Sequence, residues 1–117
     1  DKWNWIDNNI DVLNGVGIIY CNDIETCKMV SKYLKKKKIK APEYVHTNNI
    51  ELMHYLTNSF ISGGVNVLVT TQELGKNLSN PRMNFVIHFD VPTEELLLLH
   101  KEQILGTIHQ GVIVNLR

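Results

Sequence analysis

The chain has 117 residues, 44% of them hydrophobic and 21% charged, a composition that supports one packed core and argues against disorder or coiled coil. Its 12 basic and 12 acidic residues cancel, which argues against a strong global field for nonspecific nucleic-acid capture. No apolar run approaches the roughly 20 residues of a membrane span and no signal-peptide pattern opens the chain, so a cytoplasmic or nuclear site is expected. The length suits one domain and is short for a complete multi-step enzyme, so a lobe of a larger protein is expected.

In chain order, Trp3, Ile6, Ile10 and Leu13 recur at helical intervals and predict an opening helix from Lys2 to Asn14, stopped by Asn14-Gly15. Val16 to Cys21 reads as a buried strand, and Asn22 or Asp23 can cap a helix to about Lys37 whose core stripe is Ile24, Cys27, Val30 and Leu34. A short strand, Glu43 to His46, follows Pro42; a helix from Asn49 to Ser62 then turns Leu52, Met53, Leu56 and Phe60 inward and closes at Gly63-Gly64. Two more apolar runs, Val65 to Val69 and Phe85 to Phe89, flank a polar crossing segment that carries Thr70, Thr71, Gly75, Lys76 and Pro81. After Pro92, Thr93 caps a leucine-rich helix toward Leu105, and Val112 to Leu116 is a last strand. Continuous apolar strands alternating with helices specify an α/β fold, a parallel sheet flanked by helices on both faces. In such sheets ligands gather where loops leave the carboxyl ends of the strands, which places the chemistry in the crossing segment.

The titratable residues narrow that chemistry. Cys21 and Cys27 have neither CxxC nor zinc spacing and read as buried free thiols in a reducing compartment. The five histidines form no HxxxH or HExxH pair, so no metal site is expected. Lys35, Lys36, Lys37, Lys38 and Lys40 form a cluster that could meet phosphates, and reads more simply as a solvated terminus that offsets the helix dipole. Neither GxGxxG nor GxxxxGK[ST] is present, so any nucleotide would be handled from the second side of a shared cleft.

The order of segments is more specific than any one motif. GVGIIYCND, a helix, a strand ending at His46, a helix ending in FISGG, then VNVLVTT, NPRMNFVIHFDVPTEE and a Gly-containing terminal segment together resemble the C-terminal RecA-like lobe of superfamily 2 helicases. DEAD-box RNA helicases are the pattern matched best, from about Gly15 to Leu116. The resemblance implies a lobe that closes over ATP and RNA held by an N-terminal RecA-like lobe of the same chain. It implies RNA binding by Thr71, with Thr70 before it, and by Lys76, which stands for an arginine and loses the bidentate fork. Gln72 replaces an aspartate, Asn77 a glycine, and Ser79 the aspartate that approaches the ribose, while Pro81 is kept. The pattern HRxGRxxR falls on His100 to Thr107, which reads HKEQILGT. His100 is kept, Lys101 replaces the first arginine, and Ile104 and Thr107 replace the two arginines that approach the γ-phosphate. Around His46 the sequence HTNNIELMH also departs from the family's Gly-Asp and arginine.

Ser79, His100 and Lys101 are therefore expected to be remnants of a nucleotide site. Losing an arginine finger typically costs about 10³ to 10⁵ in rate, so the expectation is a non-catalytic lobe, with no catalytic residues and no cofactor of its own, ATP and Mg belonging to the parent protein. Single-stranded RNA and protein partners are expected, in RNA metabolism; similar degenerate halves occur in helicase-like proteins of small-RNA (piRNA) pathways and RNA granules. Leu96 to Leu99 holds more apolar surface than one helix face needs and suits either core on two sides or a protein-binding face. The alternatives are the C-terminal lobe of an active ATP-dependent RNA helicase and an unrelated flavodoxin-like or receiver module; the latter needs clustered acids where only Asn22-Asp23 stands.

Overall fold

Buried β-branched and aromatic side chains with period-two alternation organise the fold. The computed structural model describes residues 1–105 and 111–116. Strands β1 (Gly17–Cys21), β2 (Glu43–Tyr44), β3 (Val67–Thr71), β4 (Phe85–His88) and β5 (Val112–Asn115) form one sheet in the order β2-β3-β1-β4-β5. Every pairing is parallel, with Ile19 opposite both Val69 and Ile87. Successive residues point to opposite faces, and two cores result. Ile19, Cys21, Val67, Val69, Phe85 and Ile87 pack with the helices of one face; Ile18, Tyr20, Leu68 and Val86 pack with those of the other.

The first face carries α1 (Lys2–Asn8), α2 (Ile10–Leu13) and α3 (Ile24–Lys36); the second carries α4 (Ile50–Ser62), a 3₁₀ turn (Leu74–Asn77) and α5 (Glu94–Leu105). The opening helix is thus two helices, a correction to the single one expected. Asn9 leaves helical geometry at φ −130° and ψ 34°, and its side-chain amide donates to the Trp5 carbonyl at 2.7 Å. Trp3 nevertheless reaches the core, its ring centroid 4.7 Å from that of Tyr33 and 4.9 Å from that of Phe89. Asp23 caps α3 by accepting from the Thr26 N–H, and Asn49 caps α4 through Leu52. Gly63 ends α4 at φ 91°, a conformation glycine adopts without a Cβ clash.

Three other differences matter. Strand β3 begins two residues later than the apolar run, because Val65 donates to the Ser59 carbonyl and still belongs to the turn after α4. Thr70 and Thr71 are consequently ladder residues. Strand β2 is shorter than expected, ending at Tyr44. Ile24 and Leu52, expected inward, are 39% and 45% exposed; each lies in the first turn of its helix. Among the described residues no helix is long and apolar enough to cross a membrane.

Candidate nucleic-acid and nucleotide face

Parallel pairing delivers the carboxyl ends of β1, β3 and β4 to one rim. The rim is tied to itself. Asp90, just past β4, accepts from the Asn22 N–H at 2.8 Å and from Lys2 Nζ at 3.0 Å. Gln72, past β3, donates through Nε2 to Asn22 Oδ1 (3.1 Å) and to the Asp90 carbonyl (2.8 Å). This residue stands where the resemblance placed an aspartate, and here it is a buried brace joining three strand ends. Its Oε1 is buried without a hydrogen-bond partner among the described residues.

Beneath the rim lies a polar cluster that packs α5 onto the sheet. His100 stacks on Tyr20 with centroids 3.6 Å apart and planes 5° apart. Its Nδ1 is 2.8 Å from His88 Nε2, and its Nε2 is 2.9 Å from the Gln72 carbonyl. His88 Nδ1 in turn lies 2.7 Å from Asn115 Oδ1 on β5. Burial lowers both histidine pKa values, that of His88 to about 4, so both rings are neutral at pH 7. A neutral chain is satisfied when Asn115 presents its amide N–H to His88, His88 donates to His100, and His100 donates to Gln72. With Asn115 Oδ1 facing His88, the two rings need one extra proton between them. Asn115 is exposed, so its carboxamide can present either end.

Tyr20 and Gln103 complete the cluster. The Tyr20 hydroxyl donates to the Gly75 carbonyl at 2.9 Å and lies 2.5 Å from Gln103 Oε1. Gln103 Nε2 donates to the carbonyls of Gly75 (2.8 Å) and Leu78 (2.6 Å). A Cβ on Gly75 would overlap Thr70 Cγ2 and the Tyr20 ring, which is why the crossing segment passes this point as glycine. Burial pushes the Tyr20 phenol up, so it stays a protonated donor. The Cys27 thiol beside it, and then burial, push Cys21 up as well; both cysteines are free and buried, as expected.

Against this frame the expected site residues separate. Thr70 is fully buried and its hydroxyl donates to the Tyr44 carbonyl at 2.6 Å, so it faces no ligand, a correction to its expected RNA contact. Thr71, half-buried at the strand end, lines a shallow depression with Asn22, Asp23, Glu25 and Glu73. Thr26 holds the Asp23 carboxyl below the usual carboxylate range, so Thr71 is surrounded by negative charge. Lys76 Nζ is 2.9 Å from Glu73 Oε2. Ser79 is exposed. His100 is fully buried and built into the core, a correction to its expected place in a nucleotide site. Lys101 is half-buried beside Glu94, Glu95, Leu97 and Leu98. Ile104 is 5% exposed, in the core with Ile18, Tyr20 and Leu78. Thr107 lies outside the described residues. Of the leucine run, Leu98 and Leu99 are exposed and Leu96 and Leu97 are half-buried.

The sequence reading missed Tyr20 and Gln103. Tyr20 had a signal: a hydroxyl inside an apolar strand needs a buried partner. Gln103 carried none, since a helical glutamine usually faces water.

A family model described as the helicase conserved C-terminal domain matches residues 1–109. The chain belongs to this family. The helicase lobe is 33% identical over 75 residues to ATP-dependent DNA helicase Q-like 5 of Arabidopsis thaliana, covering 64% of this chain and 8% of that protein. It is 27% identical over 86 residues to ATP-dependent RNA helicase DHH1 of Encephalitozoon cuniculi, covering 72% of this chain and 17% of that one. It therefore spans less than a fifth of either relative. S. cerevisiae Dbp5 bound to RNA and ADP BeF3 shares its fold with a TM-score of 0.82 and 20% identity, over 98% of this chain and 32% of that one. E. coli DEAD-box protein SrmB, bound to regulator of ribonuclease activity A, gives 0.77 and 19%, over 98% of this chain and 71% of that one.

Proposed function

We propose that this is a catalytically degenerate helicase lobe within a longer protein, where it docks against an N-terminal RecA-like lobe and contributes weak single-strand contact or a scaffold for protein partners. The observation that carries the reading is Ile104, an apolar core residue at the position where the resemblance places a γ-phosphate arginine. The described residues do not fit a bound nucleoside triphosphate. Ser79 stands where the resemblance places the ribose carboxylate, Lys101 lies among Glu94, Glu95 and leucines, and the rim beside Thr71 carries Asp23, Glu25 and Glu73. Transferring a phosphoryl group depends almost wholly on positioned positive charge, so no hydrolytic step is assigned to these residues.

Strand contact falls to Thr71 and Lys76. A phosphate there must displace Glu73 from Lys76 and tolerate three neighbouring carboxylates, which sets weak, salt-sensitive binding. RNA is the proposed strand, as the fold shared with RNA-bound Dbp5 supports; single-stranded DNA is the rival, since the Arabidopsis relative is named a DNA helicase. A setting in small-RNA pathways, in cytoplasm or nucleus, rests on resemblance alone. The test is fluorescence anisotropy of labelled single-stranded RNA and DNA with the intact protein, with Thr71→Ala and Lys76→Glu as variants. Binding weakened by both supports strand contact; binding unaffected by both removes it.

A second reading, the C-terminal lobe of an active ATP-dependent helicase, is favoured by the names of the relatives, both called ATP-dependent. It requires positive charge supplied from outside the described residues.

A further inference from the structure

We propose that the groove along the β2 edge of the sheet binds an extended, acidic segment of a partner protein that also carries apolar side chains. The proposal is independent of what the strand-end rim binds. Strand β2 ends the sheet, with two residues paired to β3 and, among the described residues, no strand paired to its other edge. An open edge of backbone donors and acceptors can take an added strand. Helix α3 lies on one side of this edge and α4 on the other, and between them runs a groove of about 660 Å³. Its apolar lining comes from Ile39, Ala41, Pro42, Leu52 and Leu56, with Leu52 45% exposed. Three lysines, Lys35, Lys38 and Lys40, also line it, with Ser31 and Glu43.

Two observations point to an occupant. Lys38 adopts φ 63°, the one positive-φ residue other than glycine among the described residues. It follows the end of α3, where Lys38 donates to the Lys35 carbonyl and Ile39 to the Leu34 carbonyl. Glycine fills such a position without steric penalty. The chain instead accepts backbone strain that sets a cation on the groove, and strain of this kind clusters at functional sites. In the groove itself, Glu43 Oε2 is buried without a hydrogen-bond partner among the described residues. Glu43 lines the groove, so a turn of its side chain would bring this oxygen within reach of a backbone N–H of an extended peptide, which would supply the missing donor.

Charge selects the rest of the occupant. The lysines favour Asp and Glu on the segment, and the apolar lining takes Leu- or Phe-like side chains between them. A nucleic-acid strand suits the lysines but would set phosphates against the exposed leucine and its apolar neighbours.

The test is selection on the intact protein from a displayed library of short random peptides, followed by anisotropy with the labelled peptides recovered. The expected peptides combine acidic with apolar residues. Their affinity falls about tenfold in Leu52→Asp, a change at an exposed position, and about threefold or more in Lys38→Gly. Lys38→Gly relieves strain, so its melting temperature holds or rises while binding weakens. The proposal is overturned if no recovered peptide depends on Leu52 and Lys38, if Lys38→Gly raises the melting temperature and leaves affinity unchanged, or if a single-stranded oligonucleotide displaces the peptides.

Discussion

Replacing Ile104 by arginine restores the residue type that the helicase resemblance expects, and the structure predicts that this breaks the lobe. Ile104 is 5% exposed and packs with Ile18, Tyr20 and Leu78, and a Cβ on Gly111 would overlap its Cγ2. Ile104→Ala sets the scale: removing a buried isoleucine side chain costs about 2–5 kcal/mol, part lost transfer energy and part residual cavity. Ile104→Arg forfeits the same packing and adds a charge, and an uncompensated buried charge costs about 3–5 kcal/mol. For a domain of this size each kcal/mol lowers the melting temperature by roughly 3–6 °C, so the arginine variant should melt at least about 10 °C below the parent and no higher than the alanine variant. Thermal and urea denaturation followed by circular dichroism measure the melting temperature and the free energy of each variant, with an unchanged m-value supporting two-state unfolding. An arginine variant within about 1 kcal/mol of the parent would overturn the core placement of this residue, because its side chain would then have reached solvent or a ligand site.

Three further outcomes follow from the cluster beneath the rim. Gln103→Ala removes two N–H···O contacts to the crossing segment and should cost about 1–3 kcal/mol, with faster amide exchange confined first to residues 74–78; uniform exchange would argue against a local clamp. Thr70→Val leaves the Tyr44 carbonyl without its side-chain donor, so it should lower stability by about 1–2 kcal/mol while nucleic-acid affinity, measured by anisotropy, stays unchanged. For His88 the folded pKa of about 4 lies below the unfolded value of 6.5, so the unfolded chain binds more protons between those values. Its contribution is complete above pH 6.5 and is lost as pH falls toward 4. A melting temperature flat across that window, or one equally steep in His88→Asn, would contradict this.

Much of the fold was legible because its signals are local and agree with one another. Four apolar runs and the short segment after Pro42, the capping residues Asp23 and Asn49, and Gly63 each name an element, and continuous apolar strands between helices leave few topologies besides a parallel sheet. The break at Asn9 was hidden because Trp3, Ile6, Ile10 and Leu13 keep helical spacing across it. Strand β3 was misplaced by two residues because Val65 is as apolar as a strand residue while its backbone serves the turn.

The site was less legible. Motif comparison located Ile104 and Lys76, but whether a threonine hydroxyl faces a ligand or the neighbouring strand depends on register, which one sequence does not state. Thr70 and Thr71 are adjacent and point to opposite faces, one held by Tyr44 and the other on the rim. His100 keeps its motif position and is buried in a stack with Tyr20, a contact made across the sheet and α5. The charge around Thr71 likewise comes from two segments distant in sequence, the start of α3 with Asp23 and Glu25 and the turn after β3 with Glu73.

Whether the proposed degenerate lobe has lost phosphoryl transfer is read from ATP turnover by the intact protein in the presence of saturating single-stranded RNA or DNA. Turnover is expected at the uncatalysed background with either strand, unchanged in Lys101→Ala. Robust strand-stimulated turnover that Lys101→Ala abolishes would contradict the proposal.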